Sequence, residues 1–296
     1  MDTSNPTPPP PASSNSDSAT APEEIKTRLK ASYDAIAPRY NEWASYNHGL
    51  RLRYLDRVLD FLLPTQTQTT TTDTTTATNS ISSVVTTTGT GTEAKLKALE
   101  IGCGAGVPIV SALLSSPRGM RFHVVGNDLS SGQIGIARGK FGGSIITVNP
   151  PDGGNSHVMN EEGDGNGDGN GNESESTVEW SQADMLTLSF PPASLDLVIG
   201  LYSVIHLPWE EQVVMMQKIA KWLKPGGLVL VNFGAEKAEA VEMGDWLGGW
   251  MFWSSFGAEG MLERVRKVEG LEVLSSEVVG EDGVDAAFLW VIAKKV

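Results

Sequence analysis

Between residues 94 and 296 the chain alternates short apolar runs with amphipathic ones, and both kinds recur often enough to set a fold class. The short runs are Leu96–Ile101, Arg121–Val125, Val178–Ser181, Leu195–Leu201 and Leu228–Phe233. Such runs, nearly apolar throughout, predict strands buried on both faces. Helices are predicted between them, near Gly106–Ser115, Ser131–Lys140 and Trp209–Leu223. A last helix near Gly257–Val268 precedes two further strands, Leu271–Glu277 and Ala286–Ala293, joined across Gly280-Glu281-Asp282-Gly283. Strand–helix alternation calls for a parallel sheet covered on both faces, here doubly wound, with an antiparallel closing pair. Upstream, Ile25, Leu29, Tyr33 and Ile36 form a helical stripe expected to stop near Pro38. Leu52, Leu55, Leu59 and Leu62 form a second one. These two helices read as an N-terminal cap over residues 23–63.

Three tracts break the pattern. Residues 1–22 are Pro/Ser/Thr-rich, 64–94 are Thr-rich, and 148–176 are rich in Gly, Asn, Asp and Glu. None can bury enough apolar surface to offset its ordering entropy, so a disordered tail, linker and insertion are expected around a core spanning 95–296. The last two enter strands, which puts them at the amino ends of the sheet, away from where such folds bind ligands.

The tracts also change the meaning of the net charge. Of the formal −14, most resides in their acids, which have no basic neighbours, so the folded part is close to neutral. With no basic stripe, a nucleic-acid partner is not expected. Cys103 is the only cysteine, which excludes an internal disulfide and suits a reducing compartment. No apolar run approaches the ~20 residues of a spanning helix, and no leader-like segment opens the chain, so a cytoplasmic protein without a membrane partner is expected. The sequence does not speak to oligomeric state.

The candidate chemistry lies at the ends of the strands. Leu99-Glu100-Ile101-Gly102-Cys103-Gly104-Ala105-Gly106 joins the first strand to its helix through alternate glycines, whose backbone can approach a ligand closely. Asp128 ends the second strand, where a ribose diol would find an acceptor. A dinucleotide fingerprint would need glycine at Val107, so the Glu-x-Gly-x-Gly-x-Gly spacing departs from it. This pattern resembles motif I of the class I S-adenosylmethionine-dependent methyltransferases. The resemblance continues through Gly126-Asn127-Asp128-Leu129-Ser130, Gln182-Ala183-Asp184-Met185, Leu195-Asp196-Leu197-Val198-Ile199-Gly200 and Leu223-Lys224-Pro225-Gly226-Gly227-Leu228, in order. The N-terminal segment from Tyr33 to Trp43 is similar to the cap of the ubiquinone/menaquinone-biosynthesis type.

The resemblance implies a Rossmann-like, seven-stranded sheet with S-adenosylmethionine as cofactor and a small-molecule acceptor. It implies that Gly102, Cys103, Gly104 and Gly106 lie under the methionine part, with Glu100 holding the turn. It assigns Asp128 and Leu129 to the ribose, Asp184 and Met185 to the adenine, and Tyr40 and Leu201 to the cofactor's surroundings. Cys103 otherwise reads as a small residue chosen for space, Asp128 as a helix cap and Asp184 as a turn residue. After the fourth strand, His206 is either a general base or a packing residue, and Tyr202 shares that ambiguity. Trp246, Trp250, Met251, Phe252, Trp253 and Phe256, read as a glycine-containing lid loop, favour an apolar or aromatic acceptor methylated on oxygen or nitrogen. No metal-ligand spacing is present. A silent methyltransferase-like binding domain and an NAD-type oxidoreductase are the competing readings.

Overall fold

The computed structural model describes residues 20–62, 95–148, 175–281 and 285–296. The expected tail, Thr-rich linker and acidic insertion lie almost wholly outside the described residues, as does most of the turn after Glu281.

The sheet runs through β1 (Leu96–Ile101), β2 (Phe122–Asp128), β3 (Ser144–Ile145), β4 (Thr177–Gln182), β5 (Leu195–Gly200), β6 (Leu223–Gly234), β9 (Leu271–Gly280) and β10 (Ala287–Lys295). Its order is β3-β4-β2-β1-β5-β6-β10-β9, and β10 alone runs antiparallel to both neighbours. Seven strands match the expected fold; the eighth, β3, is a two-residue addition at one edge. The order reverses beside β1, which pairs with β2 on one side and β5 on the other. A crevice outside the carboxyl ends of these strands is therefore built into the topology.

Successive side chains of β1 face opposite layers. Leu99 and Ile101 join the core beneath α5 (Trp209–Trp222) and α6 (Gly257–Arg266), whereas Ala98 packs with α3 (Ile109–Leu114) and α4 (Ser131–Phe141). The first of these helices starts later than the glycine pattern implied, at Ile109, because Gly106 has φ +74° and Pro108 precedes the first helical residue.

The two expected N-terminal helices are present, and they cover different parts of the molecule. Helix α2 (His48–Leu62) lies in the sheet's own covering layer, with Tyr54, Leu55, Val58 and Leu59 buried and Tyr54 stacked on Trp290 at 3.9 Å. Burial of a side chain the size of Leu59 contributes about 1.5–3 kcal/mol. Leu52, assigned to the stripe, faces outward instead. Helix α1 (Pro22–Trp43) runs straight through Pro38 rather than stopping there. Its Ile25, Leu29 and Ile36 pack on Met251 and Phe252, and Asp34 accepts from Gly132 N–H and Ser130 Oγ at the start of α4. Contacts on both sides of Pro38 offset the ~3 kcal/mol that an interior proline costs.

The aromatic segment read as a loop is a β-hairpin, β7 (Lys237–Trp246) and β8 (Gly249–Phe256). It grips α1 and, with α1, stands over the carboxyl ends of the parallel strands.

Candidate cofactor and acceptor site

Two cavities meet at these strand ends. The narrower cleft, about 70 Å³, is lined by Gly102 and Gly104 after β1, Asp128 and Leu129 after β2, Asp184 and Met185 after β4, and Ser203 after β5. Lys26, Leu29, Tyr33 and Tyr40 of α1 close it from above. The larger cavity, about 420 Å³, lies between α1, α2 and the β7–β8 hairpin and is walled largely by aromatic rings. Tyr33, Tyr40, Tyr202 and His206 line both.

The glycine turn is held to β2 by its acid. Asp128 Oδ2 accepts from Gly104 N–H at 2.9 Å, and Oδ1 accepts from Ser130 N–H at 2.8 Å. Burial raises the Asp128 carboxyl to about 6, against these backbone hydrogen bonds. Ser130, not Asp128, caps α4, its Oγ accepting from Gln133 N–H.

Several expected cofactor contacts stand elsewhere. Gly106 turns toward the core: a Cβ there would meet Trp180 at 2.9 Å and Phe141 at 3.0 Å. Cys103 is buried, its thiol set against Gly104 C=O, and it borders only a small recess beside α2. Leu201 is buried in the α2/α3 layer. Glu100 lies under the turn rather than in either cavity; Val110 N–H approaches its carboxylate, and among the described residues Oε2 has no hydrogen-bond partner.

Burial holds Glu100 up at about 8, although Arg51 opposes this. A carboxyl raised in the fold contributes stability that is complete below the ordinary carboxylate range and is lost as pH rises toward 8. Glu100→Gln is therefore expected to gain on the wild type between pH 5 and pH 9, by on the order of 2–4 kcal/mol. Urea unfolding at the two pH values measures it. Parallel pH slopes for the two proteins would show Glu100 ionised and paired in the fold.

Asp184 is tied down from two sides. Its Oδ1 accepts from Leu186 N–H, the turn role, and its Oδ2 pairs with Lys26 at 2.9 Å. Lys26 also reaches Glu211 of α5 at 3.0 Å. Burial alone would lower the lysine, but these two carboxylates carry it well above the ordinary value. Lys26 therefore straps α1 across the cleft. Its partner lies 158 positions away, so spacing gave no hint of it.

His206 has both ring nitrogens engaged. Nδ1 lies 2.7 Å from Phe252 C=O, which can only accept, so Nδ1 carries the proton. Nε2 is then the acceptor of the Tyr33 hydroxyl at 2.9 Å. Burial lowers the imidazole to about 4, with the Phe252 carbonyl opposing, and burial pushes the Tyr33 phenol well above 10. Tyr202 departs from a simple site residue as well: its φ of +56° turns the chain sharply after β5, and its hydroxyl donates to Glu281. Tyr46 donates to the other Glu281 oxygen at 2.6 Å.

Gln133 and Ser203 escaped sequence reasoning because neither belongs to a chemical pattern. Both line the cleft, both are nearly inaccessible to solvent, and the Gln133 amide and Ser203 hydroxyl have no hydrogen-bond partners among the described residues. A cleft with an unfilled amide, a hydroxyl and two carboxylates fits a ligand rich in both donors and acceptors, as a nucleoside bearing an amino-acid tail is. Among the described residues no cluster of His, Cys, Asp and Glu could hold a metal ion, and no helix is long and apolar enough to cross a membrane.

Residues 156–227 match the family model described as a methyltransferase domain. A 49-residue stretch is 39% identical to phosphoethanolamine N-methyltransferase of Plasmodium falciparum, covering 17% of this chain and 18% of that protein. The chain thus aligns with less than a fifth of the curated relative it matches. Among solved structures, the 1,6-didemethyltoxoflavin N1-methyltransferase of Burkholderia thailandensis superposes with a TM-score of 0.58 at 12% identity, over 97% of this chain and 94% of that one. The magnesium protoporphyrin IX methyltransferase of Synechocystis PCC 6803 gives 0.52 at 12% identity, over 95% and 100%. In its fold the chain is similar to S-adenosylmethionine-dependent methyltransferases of known structure, and residues 156–227 match the methyltransferase-domain model.

Proposed function

We propose that this protein transfers a methyl group from S-adenosylmethionine to an oxygen or nitrogen of a small aromatic acceptor. The observation that carries the reading is the junction of the two cavities at Tyr33, Tyr40, Tyr202 and His206. One cavity has nucleoside-type polar groups, the other has aromatic walls, and a group bound in each would meet at that shared wall. The neighbours crystallised with S-adenosylmethionine or S-adenosylhomocysteine support the choice of cofactor.

The cofactor would supply an electrophilic methyl on sulfur. Gly102 and Gly104 would floor its amino-acid end, Asp128 would accept from its ribose, and Asp184 with Met185 would flank its base. Gln133 and Ser203 would complete the set. Leu29 and Tyr33 narrow the cleft, so α1 is the element that must yield for entry. Much of the rate enhancement would come from fixing the acceptor in line with the transferable methyl. The Tyr33 oxygen can accept the acceptor's proton while its own hydroxyl proton passes to His206 Nε2, and the imidazolium so formed keeps its Nδ1–H on Phe252 C=O. The lone Cys103 supports a reducing, cytoplasmic setting.

Isothermal titration with S-adenosylhomocysteine and with NADH tests the cofactor. Binding of the first and not the second is expected. Mass spectrometry of a metabolite extract incubated with methyl-labelled cofactor would then identify the acceptor. Because Asp128 lies near 6, affinity for S-adenosylhomocysteine should weaken as pH falls through 6, where the acceptor of the ribose hydroxyls becomes protonated. Asp128→Asn should remove that dependence, lower affinity at least tenfold at pH 8, and cost about 1–3 kcal/mol of stability through one mismatched backbone N–H. Wild-type affinity in a folded Asp128→Asn protein would sink the ribose assignment.

A further inference from the structure

The larger cavity contains one buried cation that no group of its walls hydrogen-bonds, although Glu100 beneath the glycine turn is close enough to feel it. Arg51, in the first turn of α2, is 8% exposed. Among the described residues it forms no hydrogen bond or ion pair, and its Nε is buried without a partner. Its guanidinium lies 4.6 Å over the Tyr202 ring, which itself meets Phe288 edge-on at 5.0 Å. One turn earlier on the chain, Asn47 also lines the cavity and has an unpartnered, buried Oδ1.

The remaining charged groups of this cavity are already occupied. Glu281 accepts from the hydroxyls of Tyr46 and Tyr202. Asp245 accepts from Gly248 N–H, and Arg39 donates to Leu247 C=O. Arg39 keeps further donors but is exposed, so Arg51 is the buried cation of this cavity without a hydrogen-bond partner among the described residues, in a setting where an unpaired charge is costly. A guanidinium presents a planar fork suited to two oxygens at once.

We infer that the acceptor is an aromatic molecule bearing an anionic group, a carboxylate or a like oxyanion, held by Arg51 while its ring lies among the tryptophans of the hairpin and α1. The inference rests on reading the larger cavity as the acceptor site. Asn47 beside Arg51 would take a hydroxyl or N–H adjoining the anion. The perpendicular walls, Trp43 to Trp246 at 80° and Trp246 to Trp253 at 84°, favour a flat ring that can meet a face and an edge together. Arg51 also borders the small recess beside the glycine turn, so an anion reaching it from the cofactor's side is the competing source.

The test uses three molecules of one shape and different charge: 2-naphthoate, 2-naphthamide and 2-naphthamidine. Each is titrated against the full chain by tryptophan fluorescence and calorimetry, in wild type, Arg51→Met and Arg51→Lys. Naphthoate should bind the wild type at least tenfold more tightly than the amide, with the amidine weakest. Arg51→Met should reduce that preference to within twofold, and Arg51→Lys should keep part of it. Arg51→Met should melt no lower than the wild type without ligand, since it removes a buried unpaired charge. Equal binding of the three, tightest binding of the amidine, binding of none, or a preference that survives Arg51→Met would each overturn the inference. S-adenosylhomocysteine affinity should stay within twofold in Arg51→Met. A tenfold fall there would assign the guanidinium to the cofactor and overturn the acceptor's claim on it. Failure of the wild type to bind S-adenosylhomocysteine would refute the methyltransferase reading separately, because the charge ranking is read without cofactor.

Discussion

Gly102→Ala is expected to cost the protein about 2–5 kcal/mol and to abolish measurable binding of S-adenosylhomocysteine. Gly102 has φ +68°, a region that an L side chain enters at about 1–2 kcal/mol. The added Cβ would stand 2.3 Å from Ser203 Cβ and 3.5 Å from Ser203 Cα, so the turn after β5 must shift to admit it. Overpacking of that kind adds about 1–3 kcal/mol. Both cavities are walled by residues 202–206, so a shift there disturbs the site as well as the fold. Gly104→Ala should behave differently. Its φ is also positive, at +55°, but the Cβ comes no nearer than 3.8 Å to Gln133 Oε1 and 4.0 Å to Tyr40. The strain of about 1–2 kcal/mol then stands alone, while the methyl intrudes on the floor of the cleft. Affinity should fall at least tenfold with a modest loss of stability. Denaturant unfolding and calorimetry of both variants separate the effects. A Gly104→Ala protein that binds as the wild type does would remove the glycine turn from the cofactor's floor.

The parallel core was legible because buried strands are apolar throughout and end in glycine or acid, a pattern that survives without neighbours. The order of the acids Asp128 and Asp184 along the chain was legible for the same reason. The hairpin was not. Leu247 and Gly248 take φ values of +53° and +87°, a two-residue turn with both central residues left-handed. Such turns are announced by Asn or Asp at the first position, and leucine there hides the signal. β7 is also largely exposed, so its alternation of apolar and polar residues is weak. Pro38 misled because local propensity stops a helix there, whereas the bonds from α4 to Asp34 and the contacts of Tyr40 and Trp43 with Trp246 hold α1 on both sides of it. Long-range partners account for the rest. Tyr33 meets His206 across 173 positions, and Lys26 meets Glu211 across 185, so neither pair has a spacing to recognise.

His206 and Tyr33 should fail together. If the acceptor's proton leaves through the Tyr33 oxygen to His206, then Tyr33→Phe and His206→Gln each lower turnover by roughly 10²–10⁴-fold on the acceptor identified by labelling. The double variant should then be little worse than either single one, because both cut the same path. Cofactor affinity should change far less than turnover. The pH profile carries a second signature. With the imidazole near 4, His206 is neutral throughout pH 5.5–8, so wild-type turnover should show no limb near ~6.5, the unperturbed histidine value. Stability follows the opposite direction from Glu100. A histidine lowered in the fold contributes stability that is complete above ~6.5 and is lost as pH falls toward 4. Between pH 7 and 4.5 the wild type should therefore lose about 2–3 kcal/mol that His206→Gln does not lose. A packing role alone predicts this stability difference with near-normal turnover and additive effects in the double variant. Turnover within a factor of three of wild type in folded His206→Gln would leave the pair structural, and the acceptor would then have to arrive at the methyl already deprotonated.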